Sequence, residues 1–580
     1  MPKVIFTILL LLFTLISCQP PTTGIIIGKV EGKIDRITLD QTPISVNEEG
    51  LFTIEQSLDF STILRLRVDD QDYEVFIQPG ETVNMTLTGE SISYQGDLVN
   101  ENKHLLTDKQ LNDELGAYLN ANWYTLHSKP IGSFIHIMDS IKDLYLSSMK
   151  QVATDQTLKV SPDFVTVNKA SIGYSLDRMI LRYPEWHLRF TGEQLSLPPA
   201  VTAELESKLD APAFLSLDTY QKYVRTWLNL KAKARLSESI DTSMYEGRQQ
   251  LDAKLDIIAK QFTTTALKDF WSFEAIQNHV EEYTWVNSKE YLTGFIAECQ
   301  STSTCQQAEA YEKELLAERK NHGIHIYKSV KGQQLEVHLF RPEKFDTTQS
   351  YPVLAAFHGG GWMEGNASWT FGSASFAAKN GMIGVAVEYR LSNRSDVTPV
   401  EAMEDTRDAI RWLRENAKSL YIDPDKIVGK GISAGGHLIS AVSVLQDDLQ
   451  TKYSSVPNSM VLVSPALDMQ EDYFKSLLRR KVNPSHLSAL DNLKAGQQMP
   501  PTLLLQGRTD RVTPTPFAQQ FKIKMDSLQY NCKLVIYENC GHVFTPSHLD
   551  DTGIPIPDPD IVELANKEQI HFLKELNYIK

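Results

Sequence analysis

The serine in Gly431-Ile432-Ser433-Ala434-Gly435 is the residue of this chain whose surroundings most suggest nucleophilic chemistry. A serine hydroxyl attacks at neutral pH only if a base takes its proton and a carboxylate orients that base. The apolar run "KIVGKGI" before Ser433 reads as a strand and "GGHLISAVSVL" after it as a helix. A strand-to-helix turn that sharp needs residues without bulk two positions to either side, and Gly431 and Gly435 supply them. The start of the helix also favours developing negative charge. For the orienting acid and the base, the pattern points to Asp510 after "LLLQGRT" and His542 after "LVIYENCG", each at the end of an expected strand. Asp468 after "LVSPAL" and His548 in "TPSHLDD" are the rival acid and base, and both rank behind. Donors for an oxyanion are expected from the Gly360 and Gly361 amides in "FHGGGWMEG" and from the Ala434 amide directly after the serine. His358 is expected to brace that loop rather than to react.

These positions require a scaffold that delivers strand ends to one place. From about His325 onward, strand-like runs ("PVLAAFH", "IGVAVEYRL", "SMVLVSPAL", "TLLLQGRTD") alternate with helical ones such as "PVEAMEDTRDAIRWLRENAKSL". That alternation predicts a doubly wound, mostly parallel sheet over 325–580, with ligands at the carboxyl ends of its strands. Residues 24–100 read as closely spaced short strands and predict a small antiparallel β-sandwich. Residues 101–320 carry apolar residues at three- and four-residue spacing and predict a helical domain. The expected fold class is therefore multidomain. "SSMK" at Ser147 to Lys150 has the SxxK spacing of penicillin-binding enzymes but lacks their partner motifs, so it reads as helix surface.

"HGGGW", "EYRL", "DAIRWLRENA", "IDPDKIVGKGISAGGHL", "GRTDRVTP" and "CGHVF" together resemble the α/β-hydrolase esterases, in particular the hormone-sensitive-lipase-like and bacterial carbohydrate-esterase branches. The resemblance covers roughly the last 250 residues, and the order serine, aspartate, histidine is the one that fold uses. It implies Ser433 as nucleophile, Asp510 and His542 as its partners, Gly360, Gly361 and Ala434 as oxyanion donors, and structural roles for Glu388 and Tyr389. It also implies hydrolysis of short-chain acyl esters through an acyl-enzyme, on a small-molecule or glycan ester such as an acetyl or feruloyl ester. No metal or cofactor is required. The short insert from Met469 to Gln498 departs from the large caps of such enzymes, which leaves acyl and alcohol preference open. Trp362 and Trp369 suit either a sugar platform or the core.

The first residues point to export. "MPKVIFTILLLLFTLISC" has a basic start, an apolar run from Val4 to Ile16, and an ending that resembles the bacterial lipobox. The expectation is a signal peptide over 1–17, an acylated Cys18 with a tether to residue 23, and a lipid-anchored, periplasm-facing place in a bacterial envelope. The N-terminal strand pattern loosely resembles the β-domains of Bacteroidetes lipoproteins that carry thioredoxin-like modules. A redox role would need a CxxC, and none follows Cys18. Cys299 and Cys305 flank a polar loop and are expected to bridge. Cys532 and Cys540 lie eight extended steps apart, roughly 26 Å, too far for a disulfide. A net charge of −16 argues against nucleic acid as a partner. Two other functional readings rank behind: a peptidase of the prolyl-oligopeptidase type, which usually has a propeller where this chain reads as helical, and a non-catalytic envelope lipoprotein, which would not need every catalytic element.

Overall fold

The computed structural model describes residues 22–32, 34, 36–39, 42–69, 71–89, 91–154, 159–238, 241–393, 397–445, 451–469, 472–478 and 482–580. The expected leader, Cys18 and the tether through residue 21 lie outside the described residues. Among the described residues no helix is long and apolar enough to cross a membrane.

The chain forms two compact units, one of residues 1–234 and 257–268 and the other of residues 235–256 and 269–580. In the first unit, strands β1 (Thr22–Glu31), β4 (Leu51–Leu58), β7 (Thr82–Thr88) and β8 (Ser91–Gly96) form one sheet in the order β4-β1-β7-β8. Strands β2 (Ile37–Leu39), β3 (Thr42–Pro43), β5 (Thr62–Val68) and β6 (Gln71–Ile77) form a second, in the order β3-β2-β5-β6. Alternating burial, as in Phe52, Ile54 and Leu58 of β4, follows from one face meeting the core. The sandwich is not purely antiparallel, because β1 and β7 run parallel. Strand spacing along a chain does not reveal which distant strands pair.

The units also divide elsewhere than at residues 100 and 320. Helix Val99–Ala121 joins the sandwich through Asn102, whose side chain accepts from the Phe76 amide at 2.8 Å and donates to the Phe76 carbonyl at 3.1 Å. It thereby pairs the exposed edge of β6. The late helices instead pack with the C-terminal sheet. Asn287 makes the same two-way pairing with the backbone of Gln334, and Arg319 forks onto Glu336 at 2.7 and 2.9 Å. A disulfide joins Cys299 to Cys305, while Cys532 and Cys540 are buried free thiols. Ser147 of "SSMK" is exposed on helix Ile131–Thr154, its hydroxyl bonded to the Asp143 carbonyl.

The second unit holds an eight-stranded sheet of β9 (Gly323–Val330), β10 (Gln333–Phe340), β11 (Tyr351–Phe357), β12 (Ile383–Val387), β13 (Ile422–Ile432), β14 (Ser459–Val463), β15 (Thr502–Gly507) and β16 (Cys532–Tyr537). Their order is β16-β15-β14-β13-β11-β12-β10-β9. The six strands from β11 to β16 are parallel and β10 is antiparallel to both neighbours. Apolar residues of helices Pro399–Glu415, Ala434–Val444 and Thr515–Ser527 cover one face, and those of Phe371–Lys379 and Pro559–Glu575 the other. Two buried faces explain why the strands read as unbroken apolar runs.

One buried ion pair ties the segment after β12 to the covering helix. Asp405 receives the Arg390 guanidinium at 2.8 Å on each oxygen, the Arg390 amide at 3.0 Å and the Lys328 ammonium at 2.7 Å. Asp405 is fully buried, so removing it leaves the buried Arg390 guanidinium without its close carboxylate, while Lys328 keeps Asp408 at 2.6 Å. Asp405→Ala should therefore lower the stability of this unit by about 3–5 kcal/mol, read as an earlier urea transition.

Candidate active site

Ser433 leaves β13 with φ 52° and ψ −114°, a left-handed conformation that costs a residue with a Cβ. Close packing holds it there. A Cβ on Gly435 would lie 2.2 Å from the Phe357 carbonyl oxygen, and one on Gly431 would lie 2.3 Å from that of Gly435. The amide of Ser433 donates to the Val463 carbonyl at 2.9 Å, and its carbonyl accepts from the His437 amide at 3.1 Å. The hydroxyl is thus presented at the carboxyl end of β13, between the ends of β11 and β14.

The other groups arrive from the neighbouring strand ends. His542 Nε2 lies 3.0 Å from Ser433 Oγ, and His542 Nδ1 lies 3.0 Å from Asp510 Oδ2. Asp510 is itself held on both oxygens. Its Oδ1 accepts from the Val512 and Thr513 amides and its Oδ2 from Gln506 Nε2, while the Thr513 hydroxyl shares its one proton between Oδ2 and the Ser464 carbonyl. Such a network holds the carboxylate in one rotamer and leaves its remaining capacity for the imidazole. The structure does not bring the rivals into this chain of bonds: His548 is exposed, and Asp468 is half-buried on the wall of the adjoining cavity.

That cavity measures about 940 Å³ and reaches Ser433, His542, Gly360 and Gly361. Gly360 and Gly361 have φ of 99° and 56°, and a Cβ on Gly360 would lie 2.1 Å from the Glu364 carbonyl oxygen. The tight glycine turn is braced from behind. Tyr389 donates to the His358 carbonyl at 2.9 Å and stacks on its ring at 4.2 Å, while a Glu388 carboxylate oxygen accepts from the Ala367 amide at 2.7 Å. Burial pushes the His358 pKa down to about 4 and that of Glu388 up to about 8, so His358 is a neutral support. The two tryptophans take different places. Trp362 is buried, with Nε1 on His437 Nδ1 and its ring against Phe474, whereas Trp369 is 56% exposed at the cavity. The short insert after Met469 also lines the cavity, and its Tyr473 hydroxyl donates to the Gly361 carbonyl at 3.0 Å.

Sequence reading missed three supports. Ser464, at the end of β14, accepts from the Val543 amide on its hydroxyl and from the Thr513 hydroxyl on its carbonyl. Thr513 also fixes Asp510. Asp551 accepts from the His542 amide at 2.9 Å and from Arg511 through its amide and its guanidinium Nε. Its nearness explains Gly541, where a Cβ would lie 2.2 Å from Asp551 Oδ2. The acid falls in "SHLDD", where nothing in the spacing separates Asp551 from its neighbour Asp550.

The arrangement can activate a hydroxyl for attack on a carbonyl bound in the cavity. The BD-FAE family model matches residues 337–470. "Probable carboxylic ester hydrolase LipM" of Mycobacterium tuberculosis is 28% identical over 213 residues, which cover 33% of this chain and 48% of that protein. "Acetylxylan esterase" of Xylanibacter ruminicola is 26% identical over 237 residues, covering 37% and 48%. Among solved structures, esterase Est2 of Thermogutta terrifontis is similar at 26% identity, over 45% of this chain and 95% of that one, with a TM-score of 0.41. The chain spans between 5% and 56% of the length of the first curated relatives it matches. The C-terminal part is thus similar to α/β-hydrolase esterases, and the similarity to esterases is at low identity.

Burial raises the Asp551 pKa, but the His542 and Arg511 amides and the Arg511 guanidinium more than offset it and bring it below the ordinary 3.8. A depressed carboxylate stabilises the fold above its unfolded value and loses that contribution only as pH falls through the folded one. Asp551→Asn should therefore lower stability at pH 7 and cost progressively less as pH falls below the ordinary carboxylate range, as measured by thermal melts across that range. It should also lower turnover about tenfold, by loosening the His542 backbone.

Proposed function

We propose that this protein is a serine carboxylic-ester hydrolase working through an acyl-enzyme. The observation that carries the proposal is the hydrogen-bonded chain from Ser433 through His542 to Asp510, opening on the 940 Å³ cavity. The esterase names of the relatives support the same reaction class.

In this reading His542 takes the Ser433 proton as the hydroxyl oxygen attacks the ester carbonyl. Asp510 holds the Nδ1–H tautomer and stabilises the imidazolium. The Gly360, Gly361 and Ala434 amides receive the oxyanion. His542 then gives its proton to the departing alcohol oxygen. Water, deprotonated by the same histidine, attacks the acyl-enzyme, and His542 returns that proton to Ser433 Oγ as the acid is released. Short acyl esters, with acetylated or feruloylated glycans as the natural setting, are the proposed substrates. The exposed Trp369 suits a sugar or aryl face, and one relative is called an acetylxylan esterase.

Ser433→Ala should lower kcat on p-nitrophenyl acetate by about 10⁴-fold or more. Equal rates for the two proteins would end the enzyme reading. The leader motif supports attachment to a bacterial envelope through Cys18. Radiolabelled palmitate should enter the wild-type protein expressed in such a host, and Cys18→Ala should abolish incorporation.

A further inference from the structure

A second cavity, of about 320 Å³, adjoins the first and shares Trp369, Ile432, Val543 and Pro557 with it. It opens on the opposite side of β13 from the helix that follows Ser433, beneath helices Phe371–Lys379 and Pro559–Glu575. Its wall is largely apolar, with Phe376, Val463, Leu505, Phe544 and Val562. One charged side chain enters it. Lys430, three positions before Ser433 on β13, is 7% exposed and lines this space.

Lysine is out of place in that register. The residues paired in one row across the sheet are Ala386, Ala356, Lys430, Val461 and Leu503. All but Lys430 are small or aliphatic and buried, as a doubly covered sheet requires. Among the described residues, the Lys430 side chain has no hydrogen bond or ion pair, and no carboxylate lines the cavity. Burial alone acts on the ammonium and lowers its pKa to about 8, so it is mostly protonated at pH 7. An unpaired ammonium on a largely apolar wall carries a desolvation cost that any aliphatic residue would avoid. A second residue that carries a donor lines the same cavity. Gln569, from helix Pro559–Glu575, is 1% exposed and its amide nitrogen has no partner.

An ammonium and an amide N–H both donate, and each suits an oxygen of an anion. The apolar wall suits a hydrocarbon or aryl body. We propose that the Lys430–Gln569 cavity binds the carboxylate end of an apolar organic acid. The ligand's charge completes the lysine, and its body fills a space that the side chains leave open. Lys430 and Ser433 are about 10 Å apart along the strand, so two sources offer this chemistry. The carboxylate could be the far end of the ester substrate itself, or it could belong to a separate acid.

Calorimetric titration of the full chain with 4-phenylbutyrate, and with 4-phenylbutanol as the uncharged control, tests the site without using activity. The acid should bind at least about tenfold more tightly than the alcohol. Lys430→Met should abolish that preference while alcohol binding persists, and Gln569→Leu should reduce it. Because Lys430→Met removes an unpaired buried cation, its ligand-free melting temperature should match or exceed the wild-type value, which separates loss of the site from loss of the fold. Equal binding of acid and alcohol by the wild type, or an unchanged preference in Lys430→Met, would overturn the proposal. The source is read from mono-4-nitrophenyl adipate against 4-nitrophenyl hexanoate. A fall of about tenfold in that kcat/KM ratio in Lys430→Met assigns the carboxylate to the substrate. An unchanged ratio, with acid binding lost in the same variant, assigns it to a separate molecule.

Discussion

The contact between the turn after β13 and the end of β11 is the constraint on which the site depends. With φ at 52°, Ser433 sits in a conformation that L-residues rarely keep, and it keeps it because the backbone at 435 lies against the Phe357 carbonyl with no room for a side chain. That closeness has two results. It lifts the serine hydroxyl out of the strand line, and it places the glycine loop after β11 beside it. A Cβ on Gly359 would lie 3.3 Å from the Ser433 Cβ. Strain of this kind is held by the surrounding packing, not by the local sequence.

Strand order does the remaining assembly. β13 lies between β11 and β14, with β15 and β16 beyond, so a parallel sheet delivers the serine, glycine-loop, aspartate and histidine segments to one edge. Between them stands the end of β14, where Ser464 links the His542 turn to the Thr513 turn through its hydroxyl and its carbonyl. The histidine turn is the least regular piece, with Val543 and Phe544 both at positive φ. Asp551 grips the backbone of His542 within it. A ring held at two atoms by Ser433 and Asp510 thus also has its main chain fixed, which is what reproducible proton transfer needs.

Much of this was legible beforehand, for reasons that can be named. Gly431 and Gly435 mark a steric demand that only glycine meets, and unbroken apolar runs mark strands buried on both faces. Asp510 and His542 could be located because strands end where apolar runs end. Less was legible where the partner is remote in sequence. The parallel pairing of β1 with β7, the attachment of the late helices through Asn287 and Arg319, and the grip of Asp551 on His542 all join residues whose spacing carries no period. The paired identities of Trp362 and Trp369 likewise could not be separated, because burial is a property of the fold.

Local sequence alone determined which side chains are candidates for this chemistry, the elements that present them and the order of those elements along the chain, since each follows from periodicity, turn chemistry or a steric exclusion within a few residues. Tertiary structure decided which distant strands became neighbours, what holds the catalytic turns in place, and that Lys430 faces an apolar chamber with no counter-charge. Those outcomes rest on long-range packing and burial, energies that exist only once segments far apart in the chain share one core.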